Sequence, residues 1–215
     1  MSETVPIREL WYINKKKWLN RFIAAATKLP NWDTEEVSHC ELWEPVDCVV
    51  CGPTFQLNSI KDDSIKYAGQ CWTSTTRKTH KKDKAGTKVR PAAGVLDHPE
   101  NWYYTEHRVD KQFFELAKIH AQRRVDTNKG YSWRDLFRYV MPLWMLKATG
   151  IADNGREICS EHVESWLVDM GVLEKRLLRS PRRLCKHTVL ATGSPLRRLV
   201  DKSIVRDGNW KKQGK

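Results

Sequence analysis

Turn-forming residues interrupt one half of this chain far more often than the other, and that contrast limits its architecture more than any single residue. Residues 37–107 are broken by Asn58, Gly69, Gly86 and the run Pro91-Ala92-Ala93-Gly94, with β-branched and aromatic stretches between them. Strands are expected over 37–44, 46–51, 53–58, 70–76, 87–91 and 102–108. From Asp110 onward the signals are helical. Asp110 reads as the N-cap of a helix running through His120, and Ser132 as the cap of another over 133–140. Pro142 interrupts, a helix follows that contains Cys159, and Ser180-Pro181 opens a last one with proline at its first position. Upstream, Trp11, Trp18, Leu19, Phe22, Ile23 and Ala26 recur at near-helical spacing before Leu29-Pro30. An amphipathic helix is expected over 8–28, with Lys15, Lys16, Lys17 and Arg21 on its basic face. Strands first and helices afterwards imply an α+β fold, an antiparallel sheet packed against helices.

The chain has 215 residues, ten of them tryptophan. That is enough for one domain with a real core, expected over 1–190, followed by a basic extension over 191–215. No apolar run approaches the ~18 residues of a membrane span. The start Met1-Ser2-Glu3-Thr4-Val5-Pro6 lacks the basic and apolar regions of a signal peptide, so a cytoplasmic location is expected. The six cysteines are then expected to be reduced thiols. Cys48 and Cys51 have the spacing of half a zinc site, which Cys71 or His80 would complete. A second such pair is missing and 48–51 reads as strand, so neither a metal nor a cofactor is expected.

The net charge is +12 and unevenly spread. Arg77 to Arg90 holds seven Lys and Arg against Asp83, and Glu174 to Lys215 holds thirteen against Glu174, Asp201 and Asp207. Such clusters are either solvated loops or the footprint of an anionic partner, whether nucleic acid, an anionic polymer or a membrane surface.

Chemistry enters with Cys159. The run Gly155-Arg156-Glu157-Ile158-Cys159-Ser160-Glu161-His162 reads as a turn entering a helix whose apolar face is Val163, Trp166, Leu167 and Met170. Cys159 lies one turn before Val163, where free N–H groups and the helix dipole favour a thiolate. Val37-Ser38-His39-Cys40-Glu41-Leu42-Trp43 reads as a strand carrying a histidine. A cysteine at a helix start with a histidine on a strand outlines a nucleophile and its base. The same cysteine equally suits a core position. Glu161 and Glu164 are explained by the helix dipole alone, and His162 is expected to face solvent.

Several segments then fall in one order: Ser38-His39-Cys40-Glu41-Leu42-Trp43, Thr73-Ser74-Thr75-Thr76-Arg77, Gly94-Val95, Trp102-Tyr103-Tyr104, Gly130-Tyr131-Ser132-Trp133, Cys159-Ser160-Glu161 and Ser180-Pro181-Arg182-Arg183-Leu184. This series resembles the circularly permuted papain-like cysteine hydrolases of the NlpC-like superfamily, particularly uncharacterised members from bacteria and tailed phages. In that family the histidine strand precedes the cysteine helix. The similarity spans about residues 13–187; the basic segment 77–90 and the tail beyond about 190 depart from it.

The resemblance implies Cys159 as nucleophile and His39 as general base. Its third, imidazole-orienting residue is assigned first to Glu41, which shares a strand face with His39. Side chains two apart on a strand are ~6.6 Å apart at their bases, so Glu41 is expected to support the site with or without touching the ring. Gln56 and Ser74 are the lower-ranked candidates. Tyr131 matches a tyrosine near the family's cleft, where its hydroxyl and the Cys159 N–H would stabilise an oxyanion. The implied activity is amidase or peptidase chemistry on a peptide or peptidoglycan stem, with acyl-chain hydrolysis or transfer second. The rival is a nucleic-acid-binding or virion-associated protein that uses the fold as a scaffold, with Trp72, Trp102 and Trp210 interleaved among its basic segments.

Overall fold

A computed structural model describes residues 2–13, 37–45, 67–76, 85–127, 130–131, 157–177 and 179–199. The described chain is α+β. Its strands are β1 (Thr4–Tyr12), β2 (His39–Pro45), β3 (Gly69–Thr75), β4 (Gly86–Pro91), β5 (Trp102–Asp110) and the short β6 (Arg197–Arg198). They form one six-stranded sheet of order β4-β3-β2-β1-β5-β6, and every pair is antiparallel. The helices are α1 (Ala92–Val95), α2 (Lys111–Thr127), α3 (Cys159–Asp169) and α4 (Pro181–Thr192).

Strand alternation sorts the sheet into two apolar faces. Ile7, Trp11, Cys40, Leu42, Trp72 and Tyr103 share one cluster with Phe114 of α2, Val163 and Trp166 of α3, and Leu184 of α4. Leu10, Tyr12, Trp43, Cys71 and Trp102 point the other way, onto Ala92, Val95, Leu96 and Tyr67. Trp166 is fully buried between Trp72 of the sheet (ring centroids 5.1 Å apart) and Phe114 of α2 (6.0 Å). That contact seats α3 against the middle of the sheet.

The expected helix over 8–28 is corrected by β1: residues 8–12 are strand, and 14–28 lie outside the described residues. The reason is burial on both sides. In a central strand Ile7 and Trp11 face one cluster while Leu10 and Tyr12 face the other, so Leu10-Trp11-Tyr12 is apolar on both sides and shows no two-residue period. One polar position on it, Glu9, is also fully buried. Its Oε2 accepts hydrogen bonds from Thr105 Oγ1 (2.8 Å) and pairs with His107 Nε2 (3.0 Å), while Oε1 accepts one from Thr188 Oγ1 of α4 (3.3 Å).

The remaining elements follow local signals. The Asp110 carboxylate accepts the Gln112 N–H at 2.8 Å as α2 begins, and α4 starts on the Ser180 hydroxyl with Pro181 in its first turn. Gly193 closes α4 in the left-handed region at φ 67°, which is open to glycine at no steric cost. The strands expected over 46–51 and 53–58 and the helix over 133–140 lie outside the described residues.

Trp166→Ala is expected to cost about 3–5 kcal/mol of stability, because the cavity would lie between two further aromatic rings. Phe113→Ala on the exposed side of α2 should cost within about 0.5 kcal/mol. Urea unfolding of both variants measures the contrast.

Candidate active site

His39 is the first residue of β2 and Cys159 the first of α3, so the two come together where a strand start meets a helix start. Alternation places His39 and Glu41 on one sheet face and Cys40 on the other, toward α3. Cys159 therefore lies beside the first two residues of β2, and both His39 and Cys40 act electrostatically on its thiol.

The histidine is held on its far side. His39 Nε2 lies 3.0 Å from Glu41 Oε1 and 3.5 Å from Thr73 Oγ1. Glu41 is fully buried, and its Oε1 also accepts a bond from Arg90 Nη2 at 2.5 Å. Glu41 thus touches the ring directly, because side chains starting ~6.6 Å apart lean together between the rows of β2 and β3. Trp102 approaches edge-on, its ring centroid 6.4 Å from that of His39. The His39 side chain keeps 12% of its surface exposed.

These contacts set the charges. The Cys159 thiol is held well below its ordinary value, first by the hydrogen bond from Cys40. Burial opposes this, and the charge and hydrogen bond of His39 reinforce it. The helix start adds to the same direction, since the first-turn N–H groups and the dipole favour negative sulfur. Burial alone would lower the pKa of His39. The Cys159 thiolate outweighs that, Glu41 helps, and the ring is raised from 6.5 to about 9. Cys40 moves the opposite way: burial and the neighbouring thiolate keep it protonated and able to donate. Both shifts act in the direction of a thiolate beside an imidazolium.

The helix start is braced by residues that sequence reasoning assigned elsewhere. Glu161 does more than complement the dipole: its carboxylate accepts the Ile158 N–H at 3.2 Å, locking the turn that presents Cys159. Glu164 is fully buried, accepts the N–H groups of Leu177 (3.1 Å) and Arg179 (3.2 Å), and pairs with the Arg179 guanidinium. His162, expected at the surface, is completely buried with Nδ1 3.1 Å from Glu157 Oε2. Every residue of α3 from Cys159 to Leu167 is buried, so this helix has no solvent face to offer it.

Ser74 does not reach the imidazole. It lies on the helix-facing side of β3 and donates to the Glu157 carbonyl at 2.6 Å, fixing the segment before Cys159. Tyr131 is buried, and its backbone bridges that of Glu157, two residues before Cys159. Gln56 lies outside the described residues, as do Cys48, Cys51 and His80. Cys71 is buried on the face opposite α3. Among the described residues no group of three or more His, Cys, Asp or Glu side chains is arranged to hold a metal ion.

Two expectations about the basic and aromatic surface are corrected. Arg90, counted in the cationic segment 77–90, turns inward onto Glu41, because an uncompensated buried carboxylate demands a partner. Trp72 and Trp102 are 2% and 1% exposed, so neither offers a ring face for a base to stack on. Residues 77–84 and 200–215 lie outside the described residues. No described helix is long and apolar enough to cross a membrane.

Sequence reasoning missed Cys40, Thr73 and Arg90. Cys40 was legible in principle: alternation along a strand with His39 outward puts residue 40 on the side where a cysteine helix packs. Arg90 gave no local signal, since its pairing with Glu41 spans 49 positions. The chain matches no protein-family profile, no curated protein and no solved structure.

The raised His39 pKa and lowered Cys159 pKa define a pH window. His39 contributes stability in full below about 6.5 and loses it as pH rises through about 9. Cys159 contributes above its ordinary value and loses it as pH falls through its depressed one. Alkylation of Cys159 followed against pH should give an apparent pKa well below ~8.5. Both His39→Ala and Cys40→Ala should raise it, as each removes a group that stabilises the thiolate.

Proposed function

We propose that the chain is a thiol-dependent acyl hydrolase or transferase of the permuted papain-like type. The observation that carries this reading is a Cys159 thiolate paired with a His39 ring that is itself held by Glu41. A structural thiol has no need of that arrangement: core cysteines elsewhere in the chain, Cys71 and Cys185, are pushed up by burial, whereas Cys159 is pushed down. The order of elements, histidine strand before cysteine helix, fits the permuted arrangement.

In this mechanism Cys159 Sγ attacks the carbonyl carbon of an amide or ester. With Nε2 directed at Glu41, Nδ1 is the nitrogen left to exchange a proton with the thiol and then with the leaving group. Collapse of the tetrahedral intermediate expels the amine or alcohol, protonated by His39, and leaves a thioester on Cys159. His39 then takes a proton from water, which attacks the thioester and frees the acid; an amine in place of water gives transfer. The Cys159 backbone N–H, unused within the first helical turn, is the first oxyanion donor, and Tyr131 supplies the second. Glu41 orients the ring and stabilises its charged form, while Arg90 pairs with the Glu41 carboxylate. A peptide or peptidoglycan-stem amide is the preferred substrate class, and an acyl ester or thioester the second.

Incubation with p-nitrophenyl acetate, followed by intact mass measurement, tests the reading without knowledge of the natural substrate. The wild-type chain should gain one acetyl group, mapped to Cys159. His39→Ala should slow acylation by about 10²–10⁴-fold with the circular dichroism spectrum unchanged. Equal acylation of wild type and Cys159→Ala, or no dependence on His39, would refute it.

A further inference from the structure

One oxygen of Glu41 serves two donors. Oε1 lies 3.0 Å from His39 Nε2 and 2.5 Å from Arg90 Nη2, so the guanidinium is the closer of the two. Arg90 sits on β4 and reaches across β3 to a carboxylate on β2. Its side chain is 10% exposed and that of Glu41 is wholly buried, so solvent screens this contact little. We propose that Arg90 is a positioning residue for the second half of the reaction, freeing the His39 ring to release its proton by claiming part of the Glu41 oxygen that holds it. The inference rests on the reading of His39 as the base of Cys159, and it names the residue that tunes this base.

Two effects act in the same direction. The ring and the guanidinium compete for the negative charge of one oxygen. The positive charge of Arg90, one hydrogen bond from that oxygen, also disfavours a second positive charge on the ring. Among the described residues the ring further meets Thr73 Oγ1 of β3 at 3.5 Å, Trp102 of β5 edge-on, Tyr12 of β1 as its register partner, and Cys159 of α3. Cys71 of β3 adjoins the ion pair, and burial keeps its thiol neutral. In this set Arg90 supplies the positive charge that opposes Glu41 and Cys159.

The need for such opposition arises once Cys159 is acylated. Burial lowers the pKa of His39, Cys159 and then Glu41 raise it, and the balance stands at about 9. In the thioester the sulfur carries no charge, and Glu41 is left as the anion acting on the ring. A ring held by the full charge of Glu41 would keep its proton through neutrality and have no lone pair for water. Deacylation needs that lone pair: the oxygen of water bonds to the thioester carbon while one of its protons passes to His39 Nδ1. The C–S bond then breaks, Cys159 departs as thiolate, and the carboxylic acid leaves with the other proton. Acylation by an ester with a good leaving group makes no such demand, since the thiolate attacks without a base.

The test separates the two half-reactions in the full-length chain. Acetyl transfer from p-nitrophenyl acetate reads acylation, and loss of the acetyl group from Cys159, followed by intact mass against pH, reads deacylation. Arg90→Gln should acylate like the wild type. Its deacylation limb should move up by about one pH unit, which makes the acetyl form about tenfold longer-lived at neutral pH, with the rate above the limb unchanged. Arg90→Lys keeps the cation but brings it to Glu41 on a shorter, flexible ammonium, so its limb should fall between the other two. Both steps slowed alike at every pH, a limb that stays in place, or one that moves down overturns the proposal. Should Arg90→Gln fail to fold, Arg90→Lys decides by the same three outcomes. Proton NMR of the His39 ring, assigned by its loss in His39→Gln, keeps the two failures apart because it needs no acylated protein. Its titration should also move up in the Arg90 variants. A wild-type Cys159 that takes no acetyl group sinks the acyl-transfer reading, whereas a ring titration unmoved by Arg90 replacement sinks the Arg90 inference.

Discussion

The contact of Trp166 with Trp72 and Phe114 decides where everything else can be. A helix lying on a sheet can slide along it or turn about its own axis, and a reactive group at its first residue would move with either motion. Three interlocked aromatic rings remove both freedoms, because interiors at crystal-like density cannot shift by fractions of a side chain without opening voids. With α3 so fixed, Cys159 arrives at the start of β2 and nowhere else. The Glu161 contact with the Ile158 N–H and the Ser74 bond to the Glu157 carbonyl then set the turn from which the thiol projects.

Placing ionisable groups in that corner carries a desolvation cost, and the surrounding contacts are arranged to offset it. Burial by itself would leave a neutral thiol and a neutral imidazole. Each charge instead has a neighbour of opposite sign or a donor: His39 and Cys40 for the sulfur, Cys159 and Glu41 for the ring, Arg90 for Glu41. The chain of partners runs from Cys159 through β2 to β4. This explains why a cationic residue from the end of a basic segment is drawn inward. It also explains why Glu41, a carboxylate on a central strand, is tolerated at full burial.

Much of the sheet and the starts of three helices were legible because their signals are local. Asp110, Ser180-Pro181 and the turn residues at Gly69 and Gly86 act within a few positions of themselves. The pair His39 and Cys159 was legible as two residue types in plausible settings. What escaped were features set by burial on more than one side. Residues 8–12 looked helical because a central strand with two apolar faces has no alternation to show. His162 looked exposed because amphipathic reasoning assumes a solvent face, and α3 has none over its first nine residues. Arg90 and Cys40 became site residues only once strands were paired, since their roles depend on neighbours far away in sequence or on the opposite side of a neighbouring residue.

The buried carboxylate of Glu9 has a bearing on how this chain acquires its fold. Glu9 sits on a strand near the beginning of the sequence, yet its oxygens are satisfied by Thr105 and His107 of β5 and by Thr188 of α4, the last contact spanning 179 positions. During synthesis β1 emerges first and has no complete set of partners until nearly the whole domain has left the ribosome. Until then an apolar ribbon with a charged residue at its centre must wait, and early closure of β1 on β2 alone would strand that charge without donors. The same carboxylate that knits the finished core therefore disfavours its premature assembly, and it ties the pairing of β1 and β5 to the arrival of α4.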